Sequence, residues 1–152
     1  MRLNLEWRTP ISLGDGSEDN LIYTCDRVDL PDEPGIYIFG RRHGASFEAL
    51  YIGKATSLKD RVWTQFKNLP LMRHVEKAKN GERILVVGLF KALQGQQSDN
   101  CLPIIERALI RHFLERDDDL VNVLGTRLKI HEIMSSGSAS RHGIPGIIVV
   151  DQ

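Results

Sequence analysis

The sequence predicts an α/β fold with a small, mixed and mainly antiparallel central sheet flanked by helices. Two runs, 35–41 and 49–53, are rich in β-branched and aromatic residues, and a short polar turn separates them, which is typical of a hairpin. The nearly continuous apolar run 83–90 has the composition of a central strand. Apolar residues at helical spacing between and after these runs predict helices that cover the sheet.

Three helices are predicted. The first begins at an N-cap provided by Thr56 or Ser57 and ends at Pro70. Its apolar residues recur at helical spacing and form one buried stripe: Leu58, Val62, Phe66 and Leu69. A second helix is predicted over 71–80. A third is predicted over 103–115, with its proline in the first turn.

The 152 residues suffice for one hydrophobic core. We predict an N-terminal extension (1–34), a core (35–125) and a C-terminal extension (126–152) packed on or near that core. The formal net charge is zero, but residues 1–34 hold 3 Lys or Arg against 8 Asp or Glu, residues 35–91 hold 11 against 4, and residues 92–152 hold 6 against 8. Only the middle stretch has the excess of positive charge that attracts a polyanion, although solvated helix faces explain its lysines equally well.

The composition favours a protein outside the membrane. No apolar run approaches the roughly 20 residues that span a bilayer. Glu6 and Arg8 stand where a signal peptide would be apolar. Cys25 and Cys101 are too few for a disulfide framework or a four-ligand zinc site. The sequence therefore predicts a cytoplasmic protein with no membrane partner.

Glu106 is an anomaly in the third predicted helix. At about 100° per residue it falls near the middle of the apolar face, which consists of Leu102, Ile105, Leu109, Ile110 and Phe113. A carboxylate directed into an apolar stripe costs several kcal/mol unless its charge is compensated. A structural ion pair, for example with a buried arginine, would compensate the charge, and so would a metal ion. The helix alone leaves both explanations open.

The hairpin carries the tripeptide GIY at 35–37 and the tripeptide YIG at 51–53. Tyrosines in strands are usually packing residues, and glycines at strand ends are common. However, Lys54 follows directly, and Arg61 lies one turn into the first helix. Polar side chains therefore gather where a strand ends and a helix begins, which is where α/β proteins commonly build sites.

GIYIF at 35–39, followed by LYIGKATSLKDRV at 50–62, resembles the two-part signature of the GIY-YIG nuclease superfamily. Within it, the chain most resembles the N-terminal nuclease domain of the bacterial excision-repair subunit UvrC, over roughly residues 35–125. The family's further markers are a helix arginine, a helix glutamate and a later asparagine, which correspond here to Arg61, Glu106 and Asn122.

Two features depart from the UvrC pattern. That branch commonly has a further tyrosine four residues after the helix arginine, and Gln65 stands at this position here. An Asp-rich insertion, 117–119, lengthens the stretch between Glu106 and Asn122. The first departure bears on substrate preference more than on catalysis.

The resemblance implies a metal-dependent endonuclease that hydrolyses phosphodiester bonds of DNA, with RNA also allowed, and one Mg²⁺ or Mn²⁺ ion per active site. It implies that Glu106 is the metal ligand and that Arg61 neutralises charge on the phosphate. Tyr37 and Tyr51 are both candidates to activate water. We favour Tyr51 because Lys54 is near it in the sequence.

The remaining predicted roles are supporting ones. Asn122 would position a phosphate or hold the site together. Gly35 and Gly53 would permit close packing of the backbone rather than take part in chemistry. Lys54 would lower the pKa of a tyrosine or contact a backbone phosphate, and Lys67 and Arg73 would contact phosphates further along.

Two other functions remain open at this point. One is a catalytically inactive nucleic-acid-binding or assembly module with the same fold, and the other is an interaction domain whose tyrosines only pack. The presence of Tyr37, Arg61 and Glu106 together favours the active enzyme. Because no separate sequence-reading motif is present, we expect recognition to need the two extensions, a homodimer or a DNA-recognition partner. Roles in repair, restriction, defence and mobile elements are all compatible.

Overall fold

The chain divides into two units, Met1–Asn122 and Val123–Gln152. The computed structural model describes residues 1–121, 130–137, 142–143 and 145–151. Asn122, one of the predicted site residues, lies outside the described residues. The second unit contains a two-stranded antiparallel hairpin among its described residues.

The elements follow one another in an order that confirms the predicted α/β class. The described part of the first unit contains β1 (Asn4–Trp7), β2 (Ile11–Ser12), β3 (Gly14–Asp15), β4 (Tyr23–Thr24), β5 (Gly35–His43), β6 (Ser46–Ala55), α1 (Leu58–Gln65), α2 (Leu69–Lys77), β7 (Glu82–Lys91) and α3 (Ser98–Glu115). The hairpin of the second unit consists of β8 (Ile130–Met134) and β9 (Ile147–Asp151). None of the helices within the described ranges is long and apolar enough to cross a membrane.

The central sheet has five strands and is antiparallel throughout. Its main order is β1-β7-β5-β6, and β2 also pairs with β7. The predicted hairpin of β5 and β6 is confirmed. Its register pairs Tyr37 with Gly53 and Ile36 with Lys54, and an irregularity lies between Phe39 and Gly40.

Helices cover both faces of this sheet. The face that contains Tyr37 and Phe39 packs against α1 and α2 in one core cluster, with Val62 and Met72 fully buried. Alternate residues of β5 point to the other face, where Ile38 and Phe113 of α3 line the same groove. The hairpin thus lies at the centre of a layered α/β/α arrangement.

The N-terminal segment 1–34 contributes directly to this arrangement. β1 pairs with β7 (Leu5 opposite Phe90), and β2 pairs with the same strand further along. The carbonyl groups of Glu33 and Pro31 accept hydrogen bonds from the first two backbone amides of α1, at 3.0 and 2.9 Å. The segment therefore completes one edge of the sheet and caps the helix that follows the hairpin.

The predicted boundaries of two helices are wrong, and a proline is the reason in each case. α1 ends at Gln65, and Pro70 lies in the first turn of α2 rather than at the end of α1. Proline is tolerated there because the first amides of a helix have no partner within the helix. α3 begins at Ser98, so Pro103 lies inside the helix and not in its first turn.

The Asp-rich insertion covers the outer edge of β6. The Asp118 carboxylate accepts a hydrogen bond from the amide of Ala49 at 2.8 Å. The amide of Val121 donates to the carbonyl of Leu50 at 2.9 Å. An uncovered edge strand offers unpaired backbone groups to other chains. The insertion and Val121, which follows it, each satisfy one of these groups.

Arg83 stabilises the end of α2. Its guanidinium donates hydrogen bonds to five backbone carbonyls at 2.7 to 3.2 Å. These carbonyls belong to Val75, Glu76, Ala78, Lys79 and Gly81. The last carbonyls of a helix have no partner within the helix, so one side chain on β7 replaces several missing amides.

We predict that Arg83→Met lowers the free energy of unfolding by about 2 kcal/mol, because the carbonyls lose a charged donor. Urea unfolding monitored by circular dichroism measures this change. Arg73→Met, which removes an exposed arginine of α2, is the control, with an expected change below about 0.5 kcal/mol. Equal effects of the two substitutions would show that water replaces the Arg83 contacts.

Candidate active site

Tyr37 lies flat over the end of β6. Its side chain is fully buried, and its partner across the hairpin is Gly53. A Cβ atom on residue 53 would overlap the ring and the hydroxyl of Tyr37. The ring of Tyr51, which is half-buried, has its centroid 5.9 Å from that of Tyr37. The absence of a side chain at Gly53 therefore determines where the tyrosine pair lies.

α1 supplies two donors to this pair. Gln65 is buried, and its Nε2 donates to the hydroxyl oxygen of Tyr37 at 2.8 Å and to that of Tyr51 at 3.4 Å. Arg61 lies one turn earlier on the helix, and its interaction with the same two hydroxyls raises the pKa of its guanidinium. The tyrosines, Gln65 and Arg61 form what we call the tyrosine cluster.

The tyrosine cluster has unusual acid–base properties. Burial raises the pKa of Tyr37 well above its ordinary value, the neighbouring Tyr51 raises it further, and hydrogen bonds from Gln65 and Arg61 lower it in part. The hydrogen bond to Tyr37 raises the pKa of Arg61. At neutral pH, Tyr37 is therefore a neutral phenol and Arg61 a full cation.

Lys54 and Glu106 form an ion pair on the other face of the sheet. Lys54 follows Gly53, so its side chain points away from the tyrosines and towards α3. Its Nζ lies 2.9 Å from Oε2 of Glu106, whose side chain is 19% exposed. The charge of this carboxylate on an apolar helix face is therefore compensated by a lysine. Lys54 thus contacts Glu106, whereas the position of Lys54 in the sequence suggested that it would lie beside a tyrosine.

A cleft of about 530 Å³ lies beyond the end of β6, between the beginnings of α1 and α3. Lys54 and Arg61 both line it. Its full lining is Lys54, Ala55, Thr56, Ser57, Asp60, Arg61, Thr64, Ser98, Asp99, Leu102 and Pro103. The cleft thus brings together one member of the tyrosine cluster, Arg61, and one member of the ion pair, Lys54.

The N-terminus of α1 borders the cleft, but its backbone donors are already used. Ser57, one of the two predicted N-caps, is the N-cap of α1. Its Oγ accepts a hydrogen bond from the amide of Asp60 at 3.4 Å and donates to Asp32 at 2.6 Å. Residues 31–33 bind the first two amides, as described above. An anion in the cleft would therefore interact with the side chains of Lys54 and Arg61 rather than with helix amides.

Glu106 is the group whose chemistry suits a divalent cation. No group of three or more His, Cys, Asp or Glu side chains with the arrangement of a metal site occurs within the described residues. Mg²⁺, however, is often held by one or two carboxylates while it keeps several waters. Lys54 is bonded to Oε2 of Glu106. One partly exposed carboxylate, paired with a lysine that lines the cleft, fits such an ion.

The other predicted site residues lie elsewhere. Lys67 and Arg73 are exposed and do not belong to the lining of the cleft. Tyr37, Tyr51 and Glu106 are not part of that lining either. They lie behind Arg61 and Lys54, with which they interact.

Gln65 contacts both tyrosines, although it is not among the site residues predicted from the sequence. It lies on the buried side of α1 beside Val62 and Phe66. A polar residue on an apolar stripe is the same signal that drew attention to Glu106.

Two proteins with the name UvrABC system protein C are similar to part of this chain. The protein from Carboxydothermus hydrogenoformans is 36% identical over 93 residues, which cover 58% of this chain and 13% of the relative. The protein from Desulforudis audaxviator is 56% identical over 37 residues, which cover 24% of this chain and 6% of the relative. The chain thus matches only a small part of these relatives. No family model and no solved structure matches it.

We predict that Gly53→Ala lowers the free energy of unfolding by about 1–3 kcal/mol, because the new methyl group overlaps Tyr37 in a closely packed core. Denaturant unfolding and near-ultraviolet circular dichroism of the tyrosines measure the change. Gly14→Ala is the matched control, because its Cβ would meet Thr24 at an ordinary 3.7 Å. If both variants had the stability of the wild type, Gly53 would not be the residue that positions Tyr37.

Proposed function

We propose that this chain is a metal-dependent endonuclease of the GIY-YIG type that hydrolyses phosphodiester bonds of DNA. The observation that carries the proposal is the cleft at the end of β6, which is lined by Arg61 of the tyrosine cluster and by Lys54, the ion-pair partner of Glu106. The two tripeptides, Arg61 and Glu106 correspond to the motifs of that superfamily. The partial similarity to UvrABC system protein C supports DNA as the polymer.

The reaction needs positive charge at two places, because water must approach an anion and the leaving oxygen must accept negative charge. One Mg²⁺ or Mn²⁺ ion, with Glu106 as its protein ligand, would stabilise the leaving oxygen. Arg61 keeps its charge at all relevant pH values, and its planar donors suit two phosphate oxygens. Lys54 would hold the Glu106 carboxylate in its orientation.

Tyr51 is the better candidate to take a proton from water. Tyr37 is fully buried, and burial raises its pKa, so its role would be to orient Arg61. Tyr51 is half-buried and lies within the same hydrogen-bond network. A general base must be within reach of the proton that it accepts, and the more accessible tyrosine meets this requirement.

The outer parts of the substrate would contact residues beyond the cleft. Lys67 and Arg73 are exposed, and we assign them to phosphates away from the cleaved bond. Asn122 would position a phosphate, as the resemblance implies. These contacts would add affinity without sequence preference, because phosphate contacts carry no sequence information directly.

One observation favours the second candidate, a catalytically inactive nucleic-acid-binding module. The ammonium group of Lys54 lies 2.9 Å from the Glu106 carboxylate and compensates its negative charge. The carboxylate therefore needs no metal ion for charge balance. The two functions differ in one measurable property, which is the metal-dependent appearance of cut strands.

We predict that the wild type converts supercoiled plasmid to nicked or linear forms with Mg²⁺ or Mn²⁺ and not with EDTA. Glu106→Gln and Arg61→Lys should each lower the rate by about 100-fold or more, because each removes stabilisation of developing charge. Glu115→Gln is the matched control, because this glutamate is also on α3 and forms an exposed ion pair with Arg111. Gel analysis of the products measures the rates.

The outcome that contradicts the nuclease is specific. Wild type that binds labelled DNA or RNA but cuts neither, and whose binding is unaffected by Glu106→Gln, would favour the inactive module. Cleavage that Glu106→Gln leaves unchanged would instead remove Glu106 from the site.

We predict that Tyr51→Phe lowers the cleavage rate by about 100-fold or more, as loss of a general base does. Tyr37→Phe should cause a smaller loss, because the ring still packs on Gly53 and only its hydroxyl contacts with Gln65 and Arg61 disappear. Single-turnover rates at saturating DNA separate the two. The reverse order of effects would assign the proton transfer to Tyr37.

A further inference from the structure

The tyrosine cluster extends to the beginning of α2 through Asn68. Asn68 is the N-cap of α2, and its Oδ1 accepts a hydrogen bond from the amide of Leu71 at 3.3 Å. A backbone amide can only donate, so this contact sets the orientation of the Asn68 side chain. Nδ2 of Asn68 then donates to Oε1 of Gln65 at 3.1 Å.

This contact in turn sets the orientation of Gln65. With Oε1 engaged by Asn68, the Nε2 of Gln65 faces the tyrosines and donates to Tyr37 at 2.8 Å and to Tyr51 at 3.4 Å. An amide nitrogen has two protons to donate and accepts none. From the amide of Leu71 to the tyrosine hydroxyls, the donor and the acceptor of each hydrogen bond are therefore fixed.

Among the described residues, the other groups around the two tyrosines are a guanidinium donor and apolar side chains, and none of these accepts a hydrogen bond. Arg61 from α1 is a charged group that interacts with the pair, and a guanidinium can only donate hydrogen bonds. α2 and β7 contribute apolar side chains to the cluster that contains Tyr37, among them Met72, Val75, Leu85 and Val87. Both phenolic oxygens thus accept hydrogen bonds, and the proton of Tyr51 must point away from Gln65 and Arg61.

We propose that Asn68 and Gln65 form a one-directional hydrogen-bond relay that holds the hydroxyl oxygens of Tyr37 and Tyr51 as acceptors and thereby favours ionisation of the pair. The catalytic meaning of this relay rests on the function proposed above, in which a tyrosine takes a proton from water. Neither residue touches the reacting atoms, so both are positioning residues. A helix N-cap would thus influence acid–base chemistry at the cleft.

Two substitutions test the relay. Gln65→Met removes the amide donor at similar side-chain length. Asn68→Asp keeps the oxygen that caps Leu71 but replaces the donor to Gln65 with an acceptor, so the Gln65 amide should turn and present its oxygen to the tyrosines. Both changes favour the neutral phenols. Because Asp is a good N-cap residue, Asn68→Asp should fold with the stability of the wild type.

The first readout is the ultraviolet absorbance of tyrosinate as a function of pH. The chain has three tyrosines, so all proteins carry Tyr23→Phe, which leaves Tyr37 and Tyr51 as the reporters. We predict that Gln65→Met and Asn68→Asp each move the lower-pH tyrosine titration upward by about one pH unit, the size expected for one lost hydrogen bond to an ionised group. Asn80→Asp, which places the same charge at an exposed position, should leave the tyrosine titrations unchanged.

The second readout is the pH dependence of cleavage by the same proteins, whose acid limb should move upward by a similar amount. Unchanged tyrosine titrations in both variants, with native circular dichroism, would overturn the relay whether or not the wild type cleaves DNA. Shifted titrations together with a wild type that cleaves no nucleic acid would support the relay and contradict the proposed nuclease. The two proposals can therefore fail independently.

Discussion

Tyr37 of β5 lies opposite Gly53 of β6, and its ring fills the space that a side chain at residue 53 would occupy. A slip of this register by one residue would turn Tyr37 to the face covered by α3 and away from Arg61. The register is maintained because β5 is paired on both of its edges, with β6 and with β7. The pairing of β5 with both of its neighbouring strands therefore determines where the hydroxyl group of Tyr37 lies.

The alternation of side chains along β6 divides the candidate site between two faces. Lys54 and Glu106 belong to the α3 face, whereas the tyrosine cluster belongs to the α1 face. The charged residues that line the cleft are Lys54, Arg61, Asp60 and Asp99, and their formal charges sum to zero. A polyanion gains little from such a lining. Additional positive charge, of the kind that a divalent ion on Glu106 would supply, is therefore an electrostatic requirement of the proposed nuclease.

Local patterns in the sequence predicted the fold class, the β5–β6 hairpin, the N-cap at Ser57 and the presence of Glu106 on an apolar face. Contacts between distant parts of the chain could not be predicted in this way, because a local pattern at one residue does not identify its distant partner. Lys54 and Glu106 are 52 residues apart in the sequence. Leu5 and Phe90, which are paired in the sheet, are also far apart in the sequence. Proline misled the prediction of helix boundaries, since it is tolerated in a first turn as well as after a helix end.

Gln65 illustrates how a departure from a family pattern changes chemistry without removing a site. A tyrosine at this position would bring a third titratable hydroxyl. Its O–H group can rotate either to donate its one proton or to accept a hydrogen bond. Gln65 instead supplies two amide protons that reach both Tyr37 and Tyr51. Three neighbouring phenols would titrate as a coupled set. With glutamine, two phenols share a donor whose orientation is fixed from the N-cap of α2, so a donor anchored to the backbone takes the place of a third titrating group.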